Sequence, residues 1–189
     1  MPSEPPYFIR MASSGARVLD NGLEALPAHF DETLGYPLAF WKSQHHGAVV
    51  FLTFGPQSET VKSPHIWHMN YERVNETWEQ PHPGSAVGQE LLGDGPTVES
   101  KIESILGGRP LVTTSTATAD SPAVILTGWH SMKVRAMTFV QPSGSQPFTA
   151  NGHYGAWVIG SDSAEPWRIE ARDDMGHLIG SIDKDSWMR

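Results

Sequence analysis

The sequence of 189 residues contains no cysteine. This absence excludes disulfides, thiolate zinc sites and a cysteine nucleophile, and it leaves the redox compartment open. Long apolar runs are also missing, since no segment approaches the 20 or so residues that span a bilayer. The N-terminus lacks a basic region followed by an apolar run, as a secretory signal would have. We therefore expect a soluble protein that is cytoplasmic as given.

Basic residues are scarce. The chain has 13 Lys and Arg against 21 Asp and Glu, so its formal net charge is −8 at pH 7. Such a chain has little electrostatic attraction for phosphate backbones or anionic lipid headgroups. We expect neither a nucleic-acid partner nor a membrane partner.

Uninterrupted helical periodicity is rare in this chain, which has 15 prolines and 18 glycines. Residues 1–47 are the least regular part, because proline recurs there before an apolar pattern can extend. The prolines concerned are Pro2, Pro5, Pro6, Pro27 and Pro37. The sequence therefore predicts an irregular N-terminal arm or cap over 1–47 and a single β-rich domain over 48–189.

Short β-branched and aromatic segments separated by turn residues dominate the rest of the chain. The predicted strands are 48–54, 111–116, 124–129, 134–140, 155–159, 167–172 and 177–182. One short helix is predicted at about 98–106, where Thr97 can cap the start and Gly107 can end the helix. The fold class that follows is mainly β: an antiparallel β-sandwich or a meander or barrel, with this one helix and the irregular arm.

The pattern of apolar residues at 64–80 fits the periodicity of a helix and also that of a strand. A helix would begin with Pro64 after Ser63 and place Trp67, Tyr71 and Trp78 on one face. A hairpin would turn near Asn75 and return through the residues that follow. The weak helix formers in the segment and the strands around it favour the hairpin.

Histidine is the most unusual reactive side chain, with nine copies. If 64–80 is a helix, His65, His68 and Glu72 share its polar face and can serve in acid–base chemistry, or hold a metal together with His45 or His46. If 64–80 is a strand, His65 and His68 point to opposite faces and the group separates. No recognised zinc-binding spacing is present, so we predict no metal site.

The chain has seven tryptophans, which is more than the core of a small β-sandwich can bury. Trp167 alternates with charged neighbours and is predicted to lie in the core. The candidates for an exposed ligand-binding aromatic surface are Trp41, Trp67, Tyr71 and Trp78, with Trp187 as a further tryptophan expected at the surface.

No serine-hydrolase elbow and no phosphate-binding glycine loop occurs, so no cofactor is predicted. The favoured interpretation is a non-catalytic binding or assembly module that recognises a partner protein, or a small-molecule or carbohydrate ligand, through its aromatic surface. The alternative is a small-molecule hydrolase, lyase or cyclase that uses histidine and carboxylate acid–base chemistry in an aromatic pocket. The sequence says nothing about the oligomeric state.

Overall fold

The structure is a computed structural model that describes residues 7–31, 33–54, 64–80, 86–118, 124–148, 152–163 and 165–187. Strands hold 50% of these residues and helices 18%, and the strands pair in antiparallel sheets that do not close into a barrel within the described residues. The mainly β, antiparallel prediction is confirmed. The chain divides into two compact units, Met1–Leu91 and Leu92–Arg189, whereas the sequence analysis placed a boundary after residue 47.

The first unit consists of one helix and five described strands. They are α1 (Tyr7–Asn21), β1 (Gly35–Lys42), β2 (His46–Phe54), β3 (Pro64–Val74), β4 (Thr77–Glu79) and β5 (Ala86–Glu90). The strands lie in the order β1-β2-β3-β4, and β5 also pairs with β3. All of the pairs are antiparallel.

The predicted irregular arm is wrong for α1 and β1. Pro2, Pro5 and Pro6 precede the helix and do not interrupt it, and residues 7–21 contain no proline. Pro37 is tolerated because, among the described strands, β1 pairs only with β2, and because the register shifts between Pro37 and Ala39. The effect of each proline depends on where it falls in its element, and the number of prolines in the segment does not reveal this.

Helix α1 packs on one face of the sheet through an apolar stripe. Met11, Val18 and Leu19 are buried in a cluster with side chains of β2, β3 and β4. Gly15 allows close approach, because a Cβ there would lie 1.9 Å from the hydroxyl oxygen of Tyr71. The Tyr71 hydroxyl donates a hydrogen bond to the carbonyl of Ala12 at 3.2 Å, which ties β3 to the helix.

The predicted hairpin at 64–80 is confirmed. β3 and β4 pair antiparallel, and Val74 lies opposite Thr77 across a two-residue turn. Asn75 and Glu76 both have positive φ, at 48° and 66°. Positive φ at both central residues defines a type I′ turn, whose twist matches that of paired strands.

The second unit has seven strands, two helices and one 3₁₀ turn among its described residues. They are α2 (Val98–Leu106), β6 (Leu111–Thr118), β7 (Val124–His130), β8 (Ala136–Gln141), β9 (Gly144–Phe148), the 3₁₀ turn (His153–Gly155), β10 (Ala156–Ser161), β11 (Arg168–Arg172), β12 (Leu178–Asp183) and α3 (Lys184–Trp187). One sheet has the order β10-β7-β6 and the other β12-β11-β8-β9.

Helix α2 has the predicted bounds and the predicted caps. The Thr97 side chain accepts a hydrogen bond from the backbone N–H of Ser100, and the Ser100 side chain accepts one from the Thr97 N–H in return. Gly107 ends the helix in the left-handed conformation, with φ 54° and ψ 36°. Each of these signals lies within a few residues of the helix end it determines.

The predicted strands 167–172 and 177–182 correspond to β11 and β12, which pair antiparallel. Ile169 and Ala171 are fully buried, whereas the charged residues that alternate with them, Arg168, Glu170 and Arg172, are exposed or partly exposed. Trp167, just before β11, is buried as predicted. The turn between the strands places Gly176 at a φ of 81°, where a residue without Cβ is favoured.

Candidate functional site

The predicted group of His65, His68 and Glu72 does not form, because residues 64–74 are a strand. Successive side chains of a strand point to opposite faces, so His65 lies on the face opposite to that of His68 and Glu72. His68 and Glu72 are four residues apart, which is about 13 Å along a strand. The three side chains therefore do not converge on one substrate or one metal ion.

Glu72 lies directly opposite His46 in the register of β2 and β3. These two belong to the set considered as metal ligands, but His65 and His68 do not join them. Among the residues that the structure describes, no group of three or more His, Asp or Glu side chains is arranged to hold a metal ion.

His68 occupies the face of the sheet opposite α1. It pairs in register with Val50 of β2 and Val87 of β5, and Val50 pairs in turn with Ala39 of β1. The ring is buried, and neither of its nitrogens has a hydrogen-bond partner among the described residues. This burial lowers the pKa of His68 to about 4, so the ring is neutral near pH 7.

The aromatic candidates are mostly inside the protein. Trp41 and Trp78 are only 7% and 6% exposed, and Tyr71 is 2% exposed. The expectation that Trp41 and Trp78 lie at the surface was therefore wrong. Trp67 is half-buried, with its indole ring over Gly88 of β5. The side chain of Trp187 lies outside the described residues.

The burial of these aromatics has a structural cause. Trp78 and Tyr71 lie under α1, in the cluster on one face of the first unit's sheet. Trp41 lies on the other face, in register with Ala48. Both faces of the central strand β2 are buried. Since both faces of β2 are covered, side chains of β1 and β4 that lie on either face of the same sheet can be buried too, and the neighbours of Trp41 and Trp78 in sequence do not reveal this.

His130, at the end of β7, is a buried histidine that the sequence analysis did not single out. Its Nδ1 lies 2.8 Å from the carbonyl oxygen of Ser131. A carbonyl only accepts, so Nδ1 carries the hydrogen and Nε2 has the lone pair. Nε2 is buried without a partner among the described residues. Burial lowers the pKa of His130, and the nearby Arg135 charge acts in the same direction.

The second unit has a groove of about 720 Å³, which we call the binding groove. It is formed where the end of α2, the β7–β8 connection and the β11–β12 turn meet. It is lined by Glu103, Leu106, Gly108, Arg109, Pro110, Ser131, Met132, Lys133, Arg135, Asp173, Asp174 and Ile179. Ligand sites of proteins commonly have volumes of about 300 to 1,000 Å³.

The charged groups of the binding groove differ in what they already bind. The Arg109 guanidinium donates to the carbonyls of Leu106 and Ile105 at the end of α2. Asp173 accepts hydrogen bonds from the backbone N–H groups of Met175 and His177. In the described part of the chain, the side chains of Lys133 and Arg135 make no hydrogen bond or ion pair.

Large apolar side chains are exposed around the same groove. Met132 lines it and is 73% exposed, and Met175, in the turn that follows Asp173 and Asp174, is 76% exposed. Leu178, next to Ile179 of the groove wall, is 52% exposed. The region thus combines accessible apolar groups with the cations Lys133 and Arg135, which have no partner among the described residues, and with the carboxylates of Glu103, Asp173 and Asp174.

The strands on either side of residues 173–176 were predicted from sequence, but the position of this turn beside the β7–β8 connection was not. Turn chemistry is local, whereas the meeting of three connections depends on how two sheets and a helix pack. No signal in the sequence alone could have identified this groove.

Comparison with known proteins gives no match: no protein-family model, no curated protein and no solved structure resembles the chain. Within the described residues, no helix has the length and apolar character needed to cross a membrane.

Proposed function

We propose that this chain is a non-catalytic binding module that recognises an acidic, partly apolar segment of a partner protein in the binding groove. The observation that carries the proposal is the pair Lys133 and Arg135, which line an open groove and have no partner within the described residues. Unpaired guanidinium and ammonium groups at a concave surface are suited to carboxylates of a ligand.

The apolar part of the recognition comes from Met132, Met175 and Leu178. Flexible methionine side chains adapt to ligands of different shape, and they are frequent at surfaces that bind peptides. Their high exposure leaves apolar area that a partner can bury. These residues replace the tryptophan surface that the sequence suggested, since Trp41 and Trp78 are buried.

A binding role is favoured over the alternative enzyme because the residues considered for acid–base chemistry are separated. His65 and His68 lie on opposite faces of β3, and Glu72 is far from His68 along the strand. The binding groove, by contrast, is built from connections between strands, where binding residues are frequent in β-sheet proteins.

The experiment is a selection of random octapeptides displayed on phage against the full chain. The affinities of the selected peptides, made synthetically, are then measured by fluorescence polarisation. We expect the selected peptides to carry Asp or Glu near one end. We expect Lys133→Glu and Arg135→Glu each to weaken binding at least tenfold, because each change places a carboxylate against the peptide's own carboxylates.

Arg17→Glu is the matched control, since it makes the same change of charge at an exposed residue of the first unit. It should change affinity less than twofold. If no octapeptide is enriched, or if the enriched peptides bind the Lys133→Glu and Arg135→Glu variants as well as they bind the unchanged chain, the proposed function is wrong.

A further inference from the structure

Sulfur occurs in this chain only as methionine, because the chain has seven methionines and no cysteine. Five of the methionines have side chains within the described residues, and these five fall into two classes. Met11, Met69 and Met137 are buried, with at most 1% of each exposed. Met132 and Met175 are 73% and 76% exposed. The described methionines are therefore either closed to solvent or widely open to it.

Both exposed methionines lie at the binding groove. Met132 lines it from the β7–β8 connection, and Met175 lies in the β11–β12 turn, directly after Asp174 of the groove lining. Of the buried methionines, Met11 and Met69 belong to the cluster between α1 and the sheet of the first unit. Among the described residues, the accessible sulfur is thus concentrated at one place.

Backbone hydrogen bonds fix the two segments that carry the exposed methionines. Asp173 accepts a hydrogen bond from the backbone N–H of Met175 at 3.0 Å. In the connection that carries Met132, the N–H of Val134 donates to the carbonyl of Ser131 at 3.1 Å. Neither bond involves a methionine side chain. The two sulfur atoms can therefore change chemically while both segments keep these hydrogen bonds.

An exposed thioether reacts with hydrogen peroxide. A lone pair of the sulfur attacks one peroxide oxygen, a sulfur–oxygen bond forms as the oxygen–oxygen bond breaks, and the other oxygen takes up the remaining proton and leaves as water. The sulfur is oxidised by two electrons and the peroxide is reduced by two. The product, methionine sulfoxide, is polar where the thioether is apolar, and methionine sulfoxide reductases restore the thioether, one enzyme for each epimer. The chain has no thiol that would react first.

We propose that Met132 and Met175 are a reversible peroxide-modification site that changes the rim of the binding groove from apolar to polar. The effect on affinity rests on the proposed function, which assigns the apolar contacts of the ligand to these two residues and Leu178. A sulfoxide oxygen that is buried against an apolar ligand surface loses its hydrogen bonds to water, so the oxidised groove binds that surface more weakly. This effect does not depend on the charge of the ligand.

Peptide mapping by mass spectrometry measures the oxidation rate of each described methionine in the folded chain under hydrogen peroxide. We expect Met132 and Met175 to be oxidised about tenfold or more faster than Met11, Met69 and Met137, because peroxide reaches a buried sulfur only when the protein opens. In urea, where burial is lost, the five rates should agree within about twofold. If the buried methionines of the folded chain react as fast as the exposed pair, the modification site is wrong.

The affinity of the selected octapeptides is compared before and after peroxide treatment. We expect oxidation to weaken binding about threefold or more, and the two reductases to restore it. A double variant with Met132→Leu and Met175→Leu is compared only with itself, and peroxide should leave its affinity unchanged because leucine is not oxidised. The fluorescence of the buried tryptophans should stay constant in the oxidised chain. A shift toward that of the unfolded chain would show that oxidation unfolds the protein, and would overturn the switch.

Glutamine imitates the polarity of the sulfoxide without peroxide. A double variant with Met132→Gln and Met175→Gln should weaken octapeptide binding about threefold or more. Leu92→Gln is the matched control, because it makes the same change from apolar to polar at a 79% exposed residue of the second unit that does not line the binding groove. It should change affinity less than about twofold. Equal effects of the double variant and the control would contradict the switch.

The outcomes separate this inference from the proposed function. If no octapeptide is selected, the proposed function fails, and selective oxidation that the reductases reverse still supports the modification site. If octapeptides are selected and bind the oxidised chain as tightly as the untreated chain, the proposed function is retained and the switch is rejected.

Discussion

His68 shows how one buried ring couples stability to pH. Its neighbour in β2, Val50, offers no hydrogen bond from its side chain, and burial lowers the pKa of His68 from 6.5 to about 4. Above about pH 6.5 the ring is neutral in both the folded and the unfolded chain, so pH has no effect through this residue. Between pH 6.5 and 4, the unfolded chain binds a proton that the folded chain does not, and stability falls.

The expected loss in the free energy of unfolding through His68 is about 2 kcal/mol between pH 7 and pH 5, measured by urea denaturation. His68→Leu should remove this part of the pH dependence, and at pH 7 it should not destabilise, because an unpartnered polar ring is replaced by an apolar group. His29→Leu, at an exposed histidine, is the control. Equal pH dependence in the His68→Leu variant and the unchanged chain would contradict the assignment.

Trp78 provides a second residue-level prediction. It is 6% exposed within the cluster under α1, and the Arg73 guanidinium lies 5.6 Å from the centre of its ring. Trp78→Ala should lower the free energy of unfolding by about 3 to 5 kcal/mol, as loss of a large buried aromatic does. Val74→Ala, on the same hairpin and 41% exposed, should cost less than about 1 kcal/mol. If Trp78→Ala has only a small effect on the free energy of unfolding in chemical denaturation, the burial of Trp78 is contradicted.

At the level of elements, Gly15 sets the distance between α1 and β3. Alanine favours helices by about 1 kcal/mol over glycine, but a Cβ at residue 15 would lie 1.9 Å from the Tyr71 hydroxyl oxygen and 2.5 Å from its ring. We therefore expect Gly15→Ala to destabilise the protein by about 1 to 3 kcal/mol in thermal or urea unfolding.

The matched control for Gly15→Ala is Ser13→Ala, at an exposed position of the same helix. Only helix propensity changes there, so the free energy of unfolding should rise slightly. Tyr71→Phe removes the closest atom, so part of the loss should be recovered in the double variant. If Gly15→Ala stabilises the protein as Ser13→Ala does, the helix does not approach β3 as described.

The elements that sequence predicted correctly are those determined by nearby residues. Thr97 and Gly107 delimit α2, and Asn75 with Glu76 forms the turn between β3 and β4. The elements that sequence missed depend on distant ones. The apolar face of α1 is explained by the sheet it covers, and Pro37 is tolerated because β1 pairs with a single strand among the described residues and has a register shift there. The candidate site was missed for the same reason, because its three connections meet only in the folded chain.

At the scale of the whole molecule, the net charge of the chain and the two cations Lys133 and Arg135 have opposite effects on an acidic partner. The chain carries a formal net charge of −8, whereas Lys133 and Arg135 are cations without a partner among the described residues. Charges are screened over about 10 Å at 0.1 M salt. The long-range repulsion acts while the partner approaches, and the attraction acts mainly after contact.

This arrangement predicts an unusual salt dependence for the selected acidic octapeptides. Raising the salt concentration from 20 to 300 mM should increase the association rate, because the repulsion by the whole chain is screened. The dissociation rate should increase as well, because the contacts with Lys133 and Arg135 are weakened. Stopped-flow fluorescence measures both rates.

In Lys133→Glu the increase of the dissociation rate with salt should be smaller, since one attractive contact is already absent. An association rate that falls steeply with salt would show that the local cations steer the encounter, and that the net charge of the chain does not govern it.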